Sequence, residues 1–276
     1  MDQPQSAETP AAPPGATPDE RRALGYNAVA RLAGADCARF AAAAGYLRRL
    51  GLAAPEILAA DRARGFVLLE DLGDDLFADV LASGGDEMAL YKAAVEVLAK
   101  LHAADAPLLL TSREGEPDLR LPLHVYDETA LIAETDLLTE WFFPLALGRK
   151  ATAEENEAHR ALWRAALNEL DRARRVFVHR DYHAQNLLWL PGRAGAARVG
   201  LIDFQDAVAG SPAYDLISLT EDARRDVSPA VAKAATAHYL EAMQAQGMPP
   251  DPAAFHREMA VMAAQRNAKI VGIFAR

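Results

Sequence analysis

Apolar positions along this chain follow two rhythms. Over residues 37–50, 86–104, 127–147, 154–172, 229–246 and 252–273 they return every three or four residues, the spacing of one helix face. Phe40, Ala43, Ala44 and Leu47 make such a stripe, with Arg48 and Arg49 at the negative end of the helix dipole and Gly51 as the stop. Met88, Tyr91, Ala94, Val95, Leu98 and Leu101 make another. Helix starts are marked by Thr17-Pro18-Asp19-Glu20, Gly34-Ala35-Asp36, Asp86, Ser211-Pro212, Ser228-Pro229 and Asp251-Pro252. The second rhythm is the short unbroken apolar run. Residues 56–60 and 65–69 read as strands of a hairpin turned by Asp61-Arg62-Ala63-Arg64. Residues 176–178, 187–190 and 198–202 read as three more, the last two joined by Pro191-Gly192-Arg193-Ala194-Gly195. Residues 106–122 read as loop, and residues 1–16, rich in Pro, Ala, Gln and Thr, as a flexible arm. Many helices with a few short strands predict an α+β fold.

Composition narrows the function classes. Half of the 276 residues are hydrophobic, enough for a sizeable core. The net charge of -10 argues against a nucleic-acid partner, which selects a basic surface. Cys37 is the single cysteine, so no internal disulfide and no cysteine-rich zinc site is expected. No apolar run is long enough to span a membrane, and residues 1–10 lack the basic start and apolar stretch of a signal peptide. A cytoplasmic protein with no membrane partner is expected.

The chemistry gathers in Val178-His179-Arg180-Asp181-Tyr182-His183-Ala184-Gln185-Asn186 and in Ile202-Asp203-Phe204-Gln205-Asp206. Phosphoryl transfer needs a carboxylate to orient the attacking hydroxyl, and an amide and a second carboxylate to hold magnesium at the nucleotide phosphates. Asp181, Asn186 and Asp203 are those groups, in that order. A strand, a turn and a strand bring Asn186 and Asp203 to the same end of a hairpin, where one cation could bridge them. Taken singly, His-Arg-Asp is common by chance, and an Asp after an apolar strand is usually a turn or cap. The ordered combination points to a kinase. Asp206 fits a cation, a substrate or a turn role. His102 reads as a cap or packing residue. Glu134, Glu140 and Trp141 either face a sugar or form a solvated acidic side with a buried aromatic, and the second is expected.

These motifs, with Tyr214-Asp215-Leu216 downstream, resemble the aminoglycoside phosphotransferase/choline kinase family, a branch of the protein-kinase-like fold. The wording His-Arg-Asp-Tyr and Asp-Phe-Gln-Asp-Ala is most similar to the bacterial cell-wall sugar kinases of that family, which phosphorylate the anomeric hydroxyl of N-acetylmuramate and N-acetylglucosamine. The resemblance covers residues 24–276 and is sharpest over 178–219. It implies ATP as co-substrate, Mg2+ as cofactor and a small-molecule acceptor; an aminoglycoside or choline-type alcohol is the alternative within the family, and an inactive nucleotide-binding module the alternative outside it. It also implies that Asp181 is the catalytic carboxylate, that Asn186 and Asp203 hold metal, that Glu70, Asp71 and Leu72 form the linker meeting the adenine, and that His179, His183 and Asp215 brace the loop.

The resemblance has a gap. No Gly-rich loop precedes Gly34, no Lys precedes Lys92, and the helix at 37–50 holds no Glu to pair with one. The expected organisation is therefore an arm and short helix at 1–33, a partial N-terminal lobe with its linker at 34–73, and a helical C-terminal lobe at 74–276. The first strands of the small lobe and the last helices of the large one are expected to be lacking.

Overall fold

A computed structural model describes residues 16–24, 29, 37–61, 64–111, 120–168, 170 and 174–276. The expected cap at 34–36 and the turn residues 62–63 lie outside these. Helix α1 (Pro18–Ala23) starts as its sequence predicts: Thr17 and Glu20 form a reciprocal capping box. Helix α2 (Ala38–Arg49) is buried almost all round, from Arg39 to Leu47, which its alanines permit. Its arginines do more than meet the dipole. Arg48 pairs with Glu56 at 3.3 Å and Glu70 at 3.4 Å. Strands β1 (Ile57–Asp61) and β2 (Phe66–Leu69) then form an antiparallel hairpin.

Short helix α3 (Phe77–Ala82) and long helix α4 (Glu87–His102, capped by Asp86) follow. Within the stretch expected to be loop, β3 (Leu109–Thr111) pairs with β4 (Arg120–Pro122). Strands of three residues, one ending on proline, are too short to show a period-two pattern. Helix α5 (Glu128–Leu137, capped by Asp127) runs through a π turn at Leu138–Phe142 into α6 (Phe143–Leu147), which Gly148 closes at a left-handed φ of 67°. Helix α7 is Ala153–Asn168.

Two further strand pairs carry the motifs. Strand β5 (Val176–Val178) pairs with β8 (Val208–Gly210), and β6 (Leu187–Trp189) with β7 (Val199–Leu201), all antiparallel. Every residue of β5, β7 and β8 is buried, so the segments that carry the motifs hang from the core. The β6–β7 pair is tied on both flanks, by Leu201 N donating to Ala53 O at 2.9 Å and Trp189 N donating to Asp75 O at 2.7 Å. Gly200 sits where a side chain would meet Leu188, Leu72 and Leu190 at 3.1–3.3 Å; its lack of one lets Leu72 lie on the strand. Helices α8 (Ala213–Thr220), α9 (Pro229–Ala245) and α10 (Pro252–Ala275) complete the helical part. Among the described residues, β1 and β2 are the strands that precede residue 70, and no helix is long and apolar enough to cross a membrane.

Candidate active site

Strand β5 ends at Val178, and the chain turns sharply through Arg180, whose φ is 76°. A left-handed arginine is a strained residue, held only where its surroundings fix it. Here the fixing group is Asp215, fully buried on α8. Its Oδ2 accepts from His179 N at 2.7 Å and its Oδ1 from Arg180 N at 2.9 Å. One carboxylate thus holds two consecutive backbone donors of the turn. The phenol of buried Tyr182 anchors the next residue, donating to Ala94 O at 2.8 Å.

Asp181 lies between these anchors, partly buried. Burial disfavours its charge, but the positive charges of Lys269 and Arg180 outweigh that, and the carboxyl is held below its ordinary value. Its backbone oxygen accepts from Asn186 Nδ2 at 2.9 Å, and Asn186 Nδ2 also lies 3.2 Å from Asp203 Oδ2. Asp203 is exposed and takes a left-handed φ of 64°; Gln205 Nε2 donates to its Oδ1 at 2.6 Å. The structure therefore brings Asp181, Asn186 and Asp203 together at one end of the β6–β7 hairpin.

The donor set can be tested against a metal. With its nitrogen turned to Asp181 O and Asp203, Asn186 presents Oδ1 as a ligand atom beside a carboxylate. Among the described residues no group of three or more His, Cys, Asp or Glu is placed to cage an ion. Two hard oxygen donors at an open rim fit magnesium, which keeps its waters and takes further oxygens from a nucleotide.

His179 is fully buried, with neither ring nitrogen hydrogen-bonded; it packs edge-on against Tyr182 and Phe204. His183 Nε2 faces Arg224 at 3.1 Å and Asn186 Nδ2 at 3.4 Å. Burial, and then Arg224, hold the His183 ring down to about 4, so it is neutral. Asp206 offers its backbone oxygen to Arg180 at 3.3 Å. Glu70 is occupied on both sides: its N–H donates to Glu56 O at 2.8 Å, and its carboxylate pairs with Arg193 at 2.7 Å. The Asp71 carboxylate accepts from Gly73 N at 2.8 Å.

Glu134 corrects the expectation for α5. It is neither solvated nor free to meet a sugar. It is fully buried behind the catalytic loop, with Arg180 at 2.7 Å, Lys269 at 3.1 Å, Gln265 at 3.0 Å and the Tyr126 hydroxyl as partners. Two cations outweigh its burial and keep it ionised. Glu140 and Trp141 are exposed, so the aromatic expected inside is at the surface. His102 is buried and pairs with the Tyr239 hydroxyl at 2.9 Å, a packing role as expected.

Several site residues escaped the sequence reading. Arg39, buried on α2, donates to Gln205 O at 3.5 Å and Pro122 O at 3.2 Å, steadying the segment after Asp203. Gln265 and Lys269 come from α10. A signal existed for these two: Phe255, Glu258, Met262, Gln265, Lys269 and Gly272 step by three and four, so polar residues occupy the buried stripe of that helix.

Comparison with known proteins agrees with this geometry. The chain is 46% identical, over its whole length, to the N-acetylmuramate/N-acetylglucosamine kinase of Caulobacter vibrioides, of which it spans 74%. It is 34% identical over 80% of its length to the enzyme of the same name from Neisseria meningitidis, of which it spans 63%. Its fold matches Plasmodium vivax ethanolamine kinase (TM-score 0.52, 12% identity, 84% of this chain and 64% of that one) and the ADP-bound aminoglycoside phosphotransferase APH(2'')-Ib (TM-score 0.50, 16% identity, 82% and 80%). The protein-kinase-like α+β fold expected from the motifs is the fold observed. Residues 27–254 match the phosphotransferase enzyme family, and the chain belongs to that family.

Proposed function

We propose that this protein is an ATP-dependent kinase of an amino sugar, N-acetylmuramate or N-acetylglucosamine, acting at the anomeric hydroxyl. The observation that carries the reading is the meeting of Asp181, Asn186 and Asp203 at one hairpin end, in a chain 46% identical throughout to a kinase of those sugars. Asp181 accepts a hydrogen bond from the acceptor hydroxyl, aims its oxygen at the γ-phosphorus, and takes the proton as the new O–P bond forms and the bond from the γ-phosphorus to the bridging oxygen breaks, releasing ADP. Held below its ordinary value, it is ionised and so has a vacant oxygen for that proton. Asn186 Oδ1 and Asp203 would hold magnesium, which supplies charge neutralisation at the nucleotide phosphates. Asp215 fixes the turn that aims Asp181. Backbone groups of the 70–72 linker would meet the adenine; of these, Glu70 N is already committed to Glu56 O. Use of ATP suits a cytoplasmic site of action.

ADP release in the presence of magnesium, measured with N-acetylmuramate, N-acetylglucosamine, kanamycin and choline in parallel, tests the reading. Turnover dependent on an amino sugar is the expected result. Turnover with kanamycin or choline alone would move the acceptor to the other branches of the family.

A further inference from the structure

The segment after β7 is pinned along its backbone. Asp203 makes the left-handed turn, and the next residue, Phe204, is fully buried, stacked on Phe40 with ring centroids 4.7 Å apart and edge-on to His179. Gln205 O accepts from buried Arg39 at 3.5 Å, Asp206 O from Arg180 at 3.3 Å, and Phe204 O from Ala207 N at 3.1 Å. From this fixed base the Gln205 side chain reaches back two residues, and its Nε2 donates to Asp203 Oδ1 at 2.6 Å, a short bond to a charged acceptor. Asp203 Oδ2 is the oxygen that faces Asn186, 3.2 Å from Nδ2. The two oxygens are therefore unequal: one is tied to Gln205, the other turned toward the second metal donor. Asp203 is exposed, and the terminal torsion of an Asp is broad, so Gln205 and Asn186 set the plane of this carboxylate.

That plane bears on the choice of ion. Calcium takes about six to eight oxygens at about 2.3–2.6 Å, often both oxygens of one carboxylate, whereas magnesium demands near-octahedral geometry at about 2.0–2.1 Å and keeps several waters. A carboxylate with one oxygen tied back cannot turn both to one ion. We propose that Gln205 is a positioning residue that selects magnesium over calcium, by holding Asp203 as a one-oxygen donor. The inference rests on the reading in which Asn186 and Asp203 hold the metal at the nucleotide.

The test is calorimetric binding of AMP-PNP, an ATP analogue that is not turned over, to the parent chain, Q205L and Q205E, with magnesium or with calcium. The parent chain binds the analogue more tightly with magnesium. Q205L fills similar space without a donor. It weakens binding with magnesium about 10- to 100-fold, the usual loss when a metal ligand's outer partner is removed, and binding with calcium less than about threefold. Q205E sets a second carboxylate beside Asp203 and turns the preference toward calcium. Without metal, both variants melt within about 2 °C of the parent, as expected for a bond at an exposed carboxylate. Equal weakening with the two ions in Q205L, or none, would overturn the selection by Gln205 and leave the metal site itself standing. A parent chain that binds AMP-PNP equally well with no divalent ion would overturn the metal reading and the inference together.

Discussion

The catalytic loop works because single side chains each hold more than one group. Asp215 holds two backbone donors, and Glu134 holds two cations. Asp181→Asn keeps the shape and the hydrogen bonds of the loop but cannot take a proton. It should lower kcat by about 10²- to 10⁴-fold, the range for a general base, with nucleotide affinity by calorimetry unchanged; a loss below tenfold would remove Asp181 from the chemistry. Glu134→Ala leaves Arg180 and Lys269 buried without their shared anion. Urea unfolding should show a loss of about 3–5 kcal/mol, the cost of breaking a buried pair, and a loss under about 1 kcal/mol would mean that the network is not what holds Arg180. At this scale the sequence was legible where chemistry demands a fixed spacing. Asp181, Asn186 and Asp203 stood out because a turn and a hairpin place them whatever the rest of the chain does, and Asp215 stood out through the family resemblance. Glu134 was not, since the residues that bury it come from 46 and 135 positions away: Arg180 and Lys269.

Elements succeed or fail as packing surfaces. Helix α10 crosses α5 so closely that a Cβ on Gly272 would stand 2.5 Å from the backbone carbon of Leu137. Gly272→Ala must therefore push the helix off, at about 1–3 kcal/mol as in other overpacked cores. Turnover should fall with stability, because the same helix carries Gln265 and Lys269 to the site. Val271→Ala, on the exposed side, is the control; equal thermal shifts in the two variants would contradict the close crossing. Helix starts such as Asp86, Ser228 and Asp251 were legible, and each side chain does cap its helix. The β3–β4 pair was not, because three-residue strands lack a period. The exposure of Trp141 was not legible either, since an amphipathic pattern does not say which aromatic lies at the edge of the stripe.

For the molecule as a whole, imidazoles held neutral in the fold shape the response to acid, His183 among them. Burial and the charges of Arg39 and Arg21 hold His124 down to about 4, and burial lowers His102 as well. The unfolded chain therefore binds protons that the folded protein refuses. The sign follows: the stability is complete above the ordinary histidine value and is lost as pH falls through about 6.5 toward 4. His124 should account for up to about 2 kcal/mol of that loss once solvent screening is allowed for, and His124→Gln should flatten the urea midpoint between pH 7 and 4.5. An unchanged slope would mean that His124 is already protonated in the fold. The helical bulk and its catalytic hairpin were legible in the chain because local patterns and motif spacing agree there.

Phosphorus NMR of the chain with magnesium, ATP and N-acetylmuramate tests the central claim most directly. The account predicts a new phosphomonoester resonance coupled to the anomeric proton, growing as ADP appears and absent from Asp181→Asn. ATP that is bound but never consumed, or consumed only to inorganic phosphate whatever sugar is present, would contradict it.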